Sequence, residues 1–167
     1  KFEKAWGVSL PSEVGLKLTQ VPDRVLGEPD IKKRIHAYYI IGEDPAQSDP
    51  NLEEIRETLK QIDLVIVQDI FMNRTSEYAD VLLPATAWGE HDAIYTCCDR
   101  GFQRVRKVIE PPEGVKPDWE IQSLLATAMG YPMHYHNTKE IWDEMRKLSP
   151  KFTGATYEKI DALGGVQ

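Results

Sequence analysis

A chain of 167 residues is long enough for one domain or two small ones, and its 41% hydrophobic content is that of an ordinary soluble globular protein. Set against 27 acidic residues, 20 basic ones leave a formal net charge of −7, which argues against a nucleic-acid backbone or an anionic membrane as the main partner. No apolar run approaches the ~18–20 residues that a membrane-spanning helix needs, so no membrane insertion is expected. Lys1–Trp6 lacks the apolar stretch of a secretory signal, so a cytoplasmic location is expected. With no initiator Met, the chain reads as processed or cut from something larger. The two cysteines, Cys97 and Cys98, are adjacent, which disfavours a disulfide between them. They are also too few for an all-cysteine zinc or iron–sulfur site made within the chain.

Lys1–Asp30 is broken by Pro11, Pro22 and Pro29 and by Gly7, Gly15 and Gly27, which predicts loops with a short helix around Val21–Leu26. Lys32-Lys33-Arg34 reads as a solvated lip. Ile35–Ile41 is β-branched and aromatic, a strand that ends at Gly42. After the turn Gly42-Glu43-Asp44-Pro45, a helix is predicted from about Pro50 to Gln61. Ser48 or Asp49 would cap it, Pro50 suits its first position, and Glu53 and Glu54 favour its positive end. Leu52, Ile55 and Leu59 share its inward face. Leu64–Val67 has no polar alternation, as in a strand covered on both sides of a parallel sheet, and it ends in Gln68-Asp69. Together these residues make a βαβ unit with a right-handed crossover.

A loop over Ile70–Thr75, a helical turn over Ser76–Ala79 and a short strand Val81–Leu83, stopped by Pro84, come next. Tyr95–Cys97 and Phe102–Val108 read as a β-hairpin whose turn uses Gly101. Glu110–Pro117 is a Pro-rich connector. One helix is capped by Asp118 and ends at Gly130, with Ile121, Leu124, Leu125 and Ala128 inward. A second opens at Asn137 or Thr138 with Glu140 and carries Ile141, Trp142, Met145 and Leu148. A last short helix covers Tyr157–Leu163. The fold class is therefore α/β: a parallel-sheet, Rossmann-like nucleotide-binding unit, then a β-hairpin and a C-terminal helical segment. Expected divisions are 1–87, 88–116 and 117–167.

In open parallel sheets, ligands sit beyond the carboxyl ends of the strands. A helix N-terminus there would favour phosphate, but Glu43, Asp44 and Asp49 would repel it. Carboxylates better suit groups that donate hydrogen bonds, such as a guanine edge or ribose hydroxyls. The alternative is that Asp44 and Asp49 only cap the turn and helix. Likewise Gln68-Asp69 is either a ribose contact or a strand end that is polar because water begins there. Glu90-His91-Asp92, His91 with Cys97 and Cys98, and His134 with His136 lack a full ligand set at metal spacing, so packing and surface loops are expected instead. No Ser or Cys has a paired His at a diagnostic spacing, which leaves nucleophilic catalysis unsupported.

Four motifs occur in order: Tyr39-Ile40-Ile41-Gly42-Glu43-Asp44-Pro45, Leu64-Val65-Ile66-Val67-Gln68-Asp69-Ile70-Phe71, Ala79-Asp80-Val81-Leu82-Leu83-Pro84 and Trp88-Gly89-Glu90-His91. With them the chain resembles the large catalytic subunit of molybdopterin oxidoreductases, the formate dehydrogenases above all. The hairpin Asp99–Arg104 and the segments Gly130–Tyr135 and Gly154–Tyr157 extend the resemblance over nearly the whole chain.

The resemblance implies an anaerobic oxidoreductase that oxidises formate to carbon dioxide. Its molybdenum or tungsten would sit on two molybdopterin guanine dinucleotides (bis-MGD) beside a [4Fe-4S] cluster. It also implies that this chain is an internal fragment, inactive alone. The cluster's Cys motif, the metal-ligating Cys or selenocysteine with its adjacent His, and the C-terminal capping domain are not in it.

Carried over position by position, the cofactor contacts are Gly42, Asp44, Ser48, Gln68, Asp69, Pro84, Ala85 and Thr86. Ala85 stands where relatives can carry Ser, which leaves a backbone contact there. Ala93, Ile94 and Cys98 depart from a Gly-Thr…Asn pattern of the wider family, so the hairpin's expected role is packing on the cluster-bearing domain. Expected partners are the remaining domains of the parent polypeptide and electron-transfer subunits, with no nucleic acid. The alternatives are a stand-alone domain that binds a free guanine nucleotide, or a protein-interaction module with an unused βαβ core.

Overall fold

The computed structural model describes residues 1–165, so Val166 and Gln167 of the expected 117–167 segment lie outside the described residues. Its elements are α1 (Phe2–Trp6), β1 (Ala37–Ile41), α2 (Pro45–Ser48), α3 (Leu52–Gln61), β2 (Leu64–Asp69), β3 (Val81–Pro84), β4 (Ala93–Thr96), β5 (Phe102–Val105), α4 (Asp118–Ala128), α5 (Thr138–Leu148) and α6 (Tyr157–Ala162). They fall into two compact units, one of Pro11–Ala85 and one of Lys1–Leu10 with the residues from Thr86 onward. No helix among the described residues is long and apolar enough to cross a membrane.

In the Pro11–Ala85 unit, β1, β2 and β3 form a parallel sheet in that order. Central β2 buries Val65 and Val67, each 1% exposed, on one face, while on the other Ile66 is half-buried and Gln68 fully buried. The two valines pack with Ile40, Ala46, Ile55, Leu59 and Ile62. The Pro-broken leader adds Val21 and Val25 through a wide helical turn at Asp23–Gly27, which overlaps the helix predicted there.

The register pairs Ile41 with Gln68 and Asp69 with Pro84, so the three strands end on one rim. β2 runs beyond the predicted Val67 because the ladder continues. The Gly42 N–H donates to the Gln68 carbonyl (2.9 Å) and the Ala85 N–H to the Asp69 carbonyl (3.0 Å).

The predicted helix from Pro50, capped by Ser48 or Asp49, is corrected. Two helices stand here, and Ser48 belongs to the first. Its N–H and its hydroxyl both close back on the Asp44 carbonyl, each at 2.9 Å. Asn51, in the left-handed region at φ 57°, then separates α2 from α3, and its Nδ2 donates to Glu54 Oε2 (2.8 Å). Pro45, with its preset φ, starts α2 early.

At the amino end of β1, His36 Nδ1 contacts Asp63 Oδ2 (2.6 Å) and Nε2 contacts the Ile31 carbonyl (2.7 Å). The Asp63 contact first, then that carbonyl, hold the imidazole above its usual pKa. A raised folded value means the contribution is fully present below the unfolded pKa and lost as pH rises through the folded one. Urea unfolding from pH 5 to 9 should therefore show Asp63→Asn most destabilised relative to wild type below about pH 6.5, with the gap closing at higher pH. A gap independent of pH would rule the pair out as its source.

In the other unit, β4 and β5 form an antiparallel hairpin in which Thr96 pairs with Phe102. The left-handed residue of its turn is Arg100 (φ 70°), and the Gly101 N–H donates to Asp99 Oδ1 (3.1 Å). β5 stops at Val105 because the chain beyond turns to other partners: the Lys107 N–H donates to Asp92 Oδ1 and the Val108 N–H to the Gly89 carbonyl.

Asn137 caps α5, its Oδ1 accepting from the Glu140 N–H (3.1 Å), and Thr156 caps α6 in the same way for Lys159 (3.1 Å). The core here joins Phe102, Trp142, Ala155, Tyr157 and Ile160, with the Phe102 and Trp142 ring centroids 5.2 Å apart. On α4 the expected inward stripe is corrected. Ile121 and Ser123 are buried, but Leu124 is 53% exposed and Ala128 is also exposed. Pro117 rather than Asp118 takes the cap position. The Ser123 hydroxyl donates to the Trp119 carbonyl (2.7 Å), which lets a small polar residue lie on the packed side. Met145 of α5 is 45% exposed.

Candidate functional site

The rim at the carboxyl ends of β1, β2 and β3 brings together Gly42, Asp44, Ser48, Gln68, Asp69, Pro84 and Ala85 within one unit. Gly42 turns the chain away from β1 at φ 63°, and a Cβ there would meet nothing within 4 Å, so the turn faces open space. Beside the rim lies a cleft of about 250 Å³, lined by Asp69 together with Val67, Phe71, Met72, Leu82 and Pro84. Phe71 is 77% and Met72 73% exposed, unusual for apolar side chains next to a sheet end.

The two rim acids are used differently. Asp44 is turned to the chain itself. Its Oδ1 accepts from the Thr75 N–H (2.9 Å) and hydroxyl (2.7 Å), and its Oδ2 from the Arg74 N–H (3.2 Å). Thr75, fully buried, accepts in turn from the Ala46 N–H at the start of α2 (3.0 Å). Asp69 lines the cleft. Its Oδ1 accepts from the Ile70 N–H (2.6 Å) and its Oδ2 from Asn73 Nδ2 (2.8 Å).

Gln68 is fully buried, and its Oε1 accepts from the Tyr39 hydroxyl. The Ser48 hydroxyl is exposed and donates to the Asp44 carbonyl. Burial first, then Asp49 and Glu43, push the Tyr38 phenol above its usual pKa.

Within the turn after β3, the Ala85 N–H is engaged by the Asp69 carbonyl, so its amide is committed to the sheet. Thr86 is described with the other unit, where its N–H donates to the Lys116 carbonyl (3.1 Å) and its hydroxyl contacts His91 Nδ1 (2.7 Å). Partial burial first, then Asp99, hold the Cys97 thiol above its usual pKa. Both cysteines are free, and His136 pairs with Glu140. No group of three or more His, Cys, Asp or Glu side chains among the described residues could hold a metal ion.

Sequence reasoning passed over Phe71, Met72, Asn73 and Thr75. Three apolar residues, Ile70-Phe71-Met72, directly after a strand-end acid, and Asn73 three residues before Ser76, are the signals the sequence offers.

The profile described as "Molybdopterin oxidoreductase" matches residues 15–128. This chain belongs to the molybdopterin oxidoreductase family.

Relatives of this molybdopterin oxidoreductase chain include formate dehydrogenase H of Escherichia coli (strain K12). It is 53% identical over 169 residues, which span 100% of this chain and 23% of that protein. The F420-dependent formate dehydrogenase subunit alpha of Methanocaldococcus jannaschii is 36% identical over 165 residues, spanning 98% and 24%. The chain thus spans about a quarter of the length of these relatives. Acetylene hydratase from Pelobacter acetylenicus superposes with a TM-score of 0.66 over 83% of this chain and 19% of its own, at 21% identity, and so shares the fold. The α/β architecture expected from sequence is the one observed.

The family implies a molybdopterin cofactor carrying molybdenum or tungsten, and the residues of the cleft fit one end of such a group. The cleft offers a carboxylate and apolar walls, and no Lys or Arg lines it. The nearby Arg74 guanidinium pairs with Glu77 instead (2.9 Å). Acceptors without a cation suit a base and its sugar, not a phosphate.

Proposed function

We propose that the Pro11–Ala85 unit holds the guanine and ribose of a molybdopterin guanine dinucleotide in a formate dehydrogenase-like enzyme that oxidises formate to carbon dioxide. The bound cofactor would supply the redox chemistry at molybdenum or tungsten. This chain's residues bind and orient it. The observation that carries the reading is the Asp69 carboxylate, set on a strand end at the edge of an apolar cleft without a cation. Guanine presents a ring N–H and an exocyclic amine side by side, and a carboxylate accepts both at once. Phe71 and Met72 offer the flat apolar wall that a purine face requires. Gly42 leaves the neighbouring rim free of side chain, so the sugar can approach the backbone. Asp44 serves the same site indirectly, by tying the 70–75 loop to the end of β1.

On this reading the chain alone is inactive. Its partners are the remaining parts of the polypeptide, which would hold a second dinucleotide and a [4Fe-4S] cluster, and electron-transfer subunits that receive the electrons. Its location is the cytoplasm.

Calorimetric titration of the chain with GDP and ADP tests the site. GDP should bind more tightly than ADP, because adenine lacks the ring N–H. Asp69→Asn should weaken GDP about tenfold, roughly 1.4 kcal/mol, and leave ADP nearly unchanged. Equal affinity for both nucleotides, or no heat at millimolar GDP, would refute it.

A further inference from the structure

We propose that Asn73 is a positioning residue that aims the Asp69 carboxylate at the base, an inference that rests on the guanine reading of the cleft. Asn73 is half-buried and uses the two ends of its amide for different tasks. Its Oδ1 accepts from the Ser76 N–H and hydroxyl, both at 2.9 Å, and its own N–H donates to Ser76 Oγ (3.1 Å). That end fixes the side chain to the loop. The Nδ2 end donates to Asp69 Oδ2 (2.8 Å) and, more weakly, to the Glu43 carbonyl (3.4 Å). Asn73 therefore joins the loops that follow β1 and β2 through one amide nitrogen.

A carboxylate has about four lone-pair sites, two on each oxygen. In Asp69 the Ile70 N–H takes one on Oδ1 and Asn73 takes one on Oδ2. One acceptor site remains on each oxygen, the pair that a two-donor edge needs. The Ile70 N–H alone leaves the carboxylate free to rotate about its Cβ–Cγ bond. A second donor on the other oxygen sets its plane.

A double-mutant cycle read by GDP titration on the full 167-residue chain tests this. Asn73→Ala should weaken GDP about tenfold, and in the Asp69→Asn background it should add less than about a twofold further loss, because it acts through Asp69. Should Asn73→Ala fail to fold, Asn73→Asp keeps the Oδ1 acceptor for Ser76, replaces the donor with a second carboxylate beside Asp69, and is expected to lose at least the same affinity. Losses that multiply in the double variant, or wild-type affinity in Asn73→Asp, would overturn the positioning role while leaving the cleft's ligand intact. Absence of GDP binding to the wild-type chain would instead bring down the guanine reading, and this inference with it.

Discussion

Trp142→Ala is expected to lower unfolding stability by about 3–5 kcal/mol, as deletion of a buried indole does. Trp142 is 5% exposed, its ring packs edge-on against Phe102, and it stacks on Phe152 with centroids 5.6 Å apart. The substitution leaves a cavity where the hairpin, α5 and α6 share one core. It also orphans the Ala155 carbonyl, which accepts from Trp142 Nε1 at 2.6 Å. Trp142→Phe separates the two effects: it keeps much of the packing and should cost nearer 1–3 kcal/mol, the penalty of an unpaired buried acceptor. Urea unfolding followed by circular dichroism reads both variants. A loss below about 1 kcal/mol for the alanine variant would mean that this core collapses around the gap.

Asp44→Ala should be nearly as damaging to the other unit, at about 2–4 kcal/mol. Its carboxylate satisfies the N–H and hydroxyl of Thr75, a residue with no exposure, and the Arg74 N–H besides. Removing it leaves two buried donors without their acceptor, each costing about 1–3 kcal/mol, partly recovered if water enters. Asp44→Asn keeps an oxygen in the Oδ1 position and should retain most of the stability. Denaturant midpoints of the three proteins, compared at one pH, decide it. An alanine variant as stable as wild type would show that the 70–75 loop is held by something else. The result also governs how nucleotide titrations are read, since lost binding in Asp44→Ala reflects a loosened loop before a lost contact.

Much of this was legible in the sequence, for physical reasons. The unbroken apolar run Leu64–Val67 announced a central parallel strand, and Asn137 with Glu140 announced a capped helix. Both signals are local and strong. The break between α2 and α3 was hidden because it rests on one asparagine in the left-handed region, a conformation that Asn tolerates but seldom advertises. The outer face of α4 was misread because periodicity marks an apolar stripe without saying whether anything lies against it. At the rim, the sequence showed two acids on neighbouring strand ends. It did not show that Asp44 is engaged by Thr75, a residue 31 positions further along the chain, because a hydrogen bond across that separation leaves no spacing pattern.

The Asp44–Thr75–Ala46 relay also sets which half of the rim can vary between related proteins. An exchange at the β1 corner disturbs a loop and a helix start together, so it will seldom be tolerated alone. Opposite it, Phe71 and Met72 stand in solvent between Ile70 and Asn73, whose N–H groups are hydrogen-bonded. Changes of size or polarity there cost the scaffold little. Divergence in ligand preference should therefore accumulate on that lip first, while the acid across from it stays frozen.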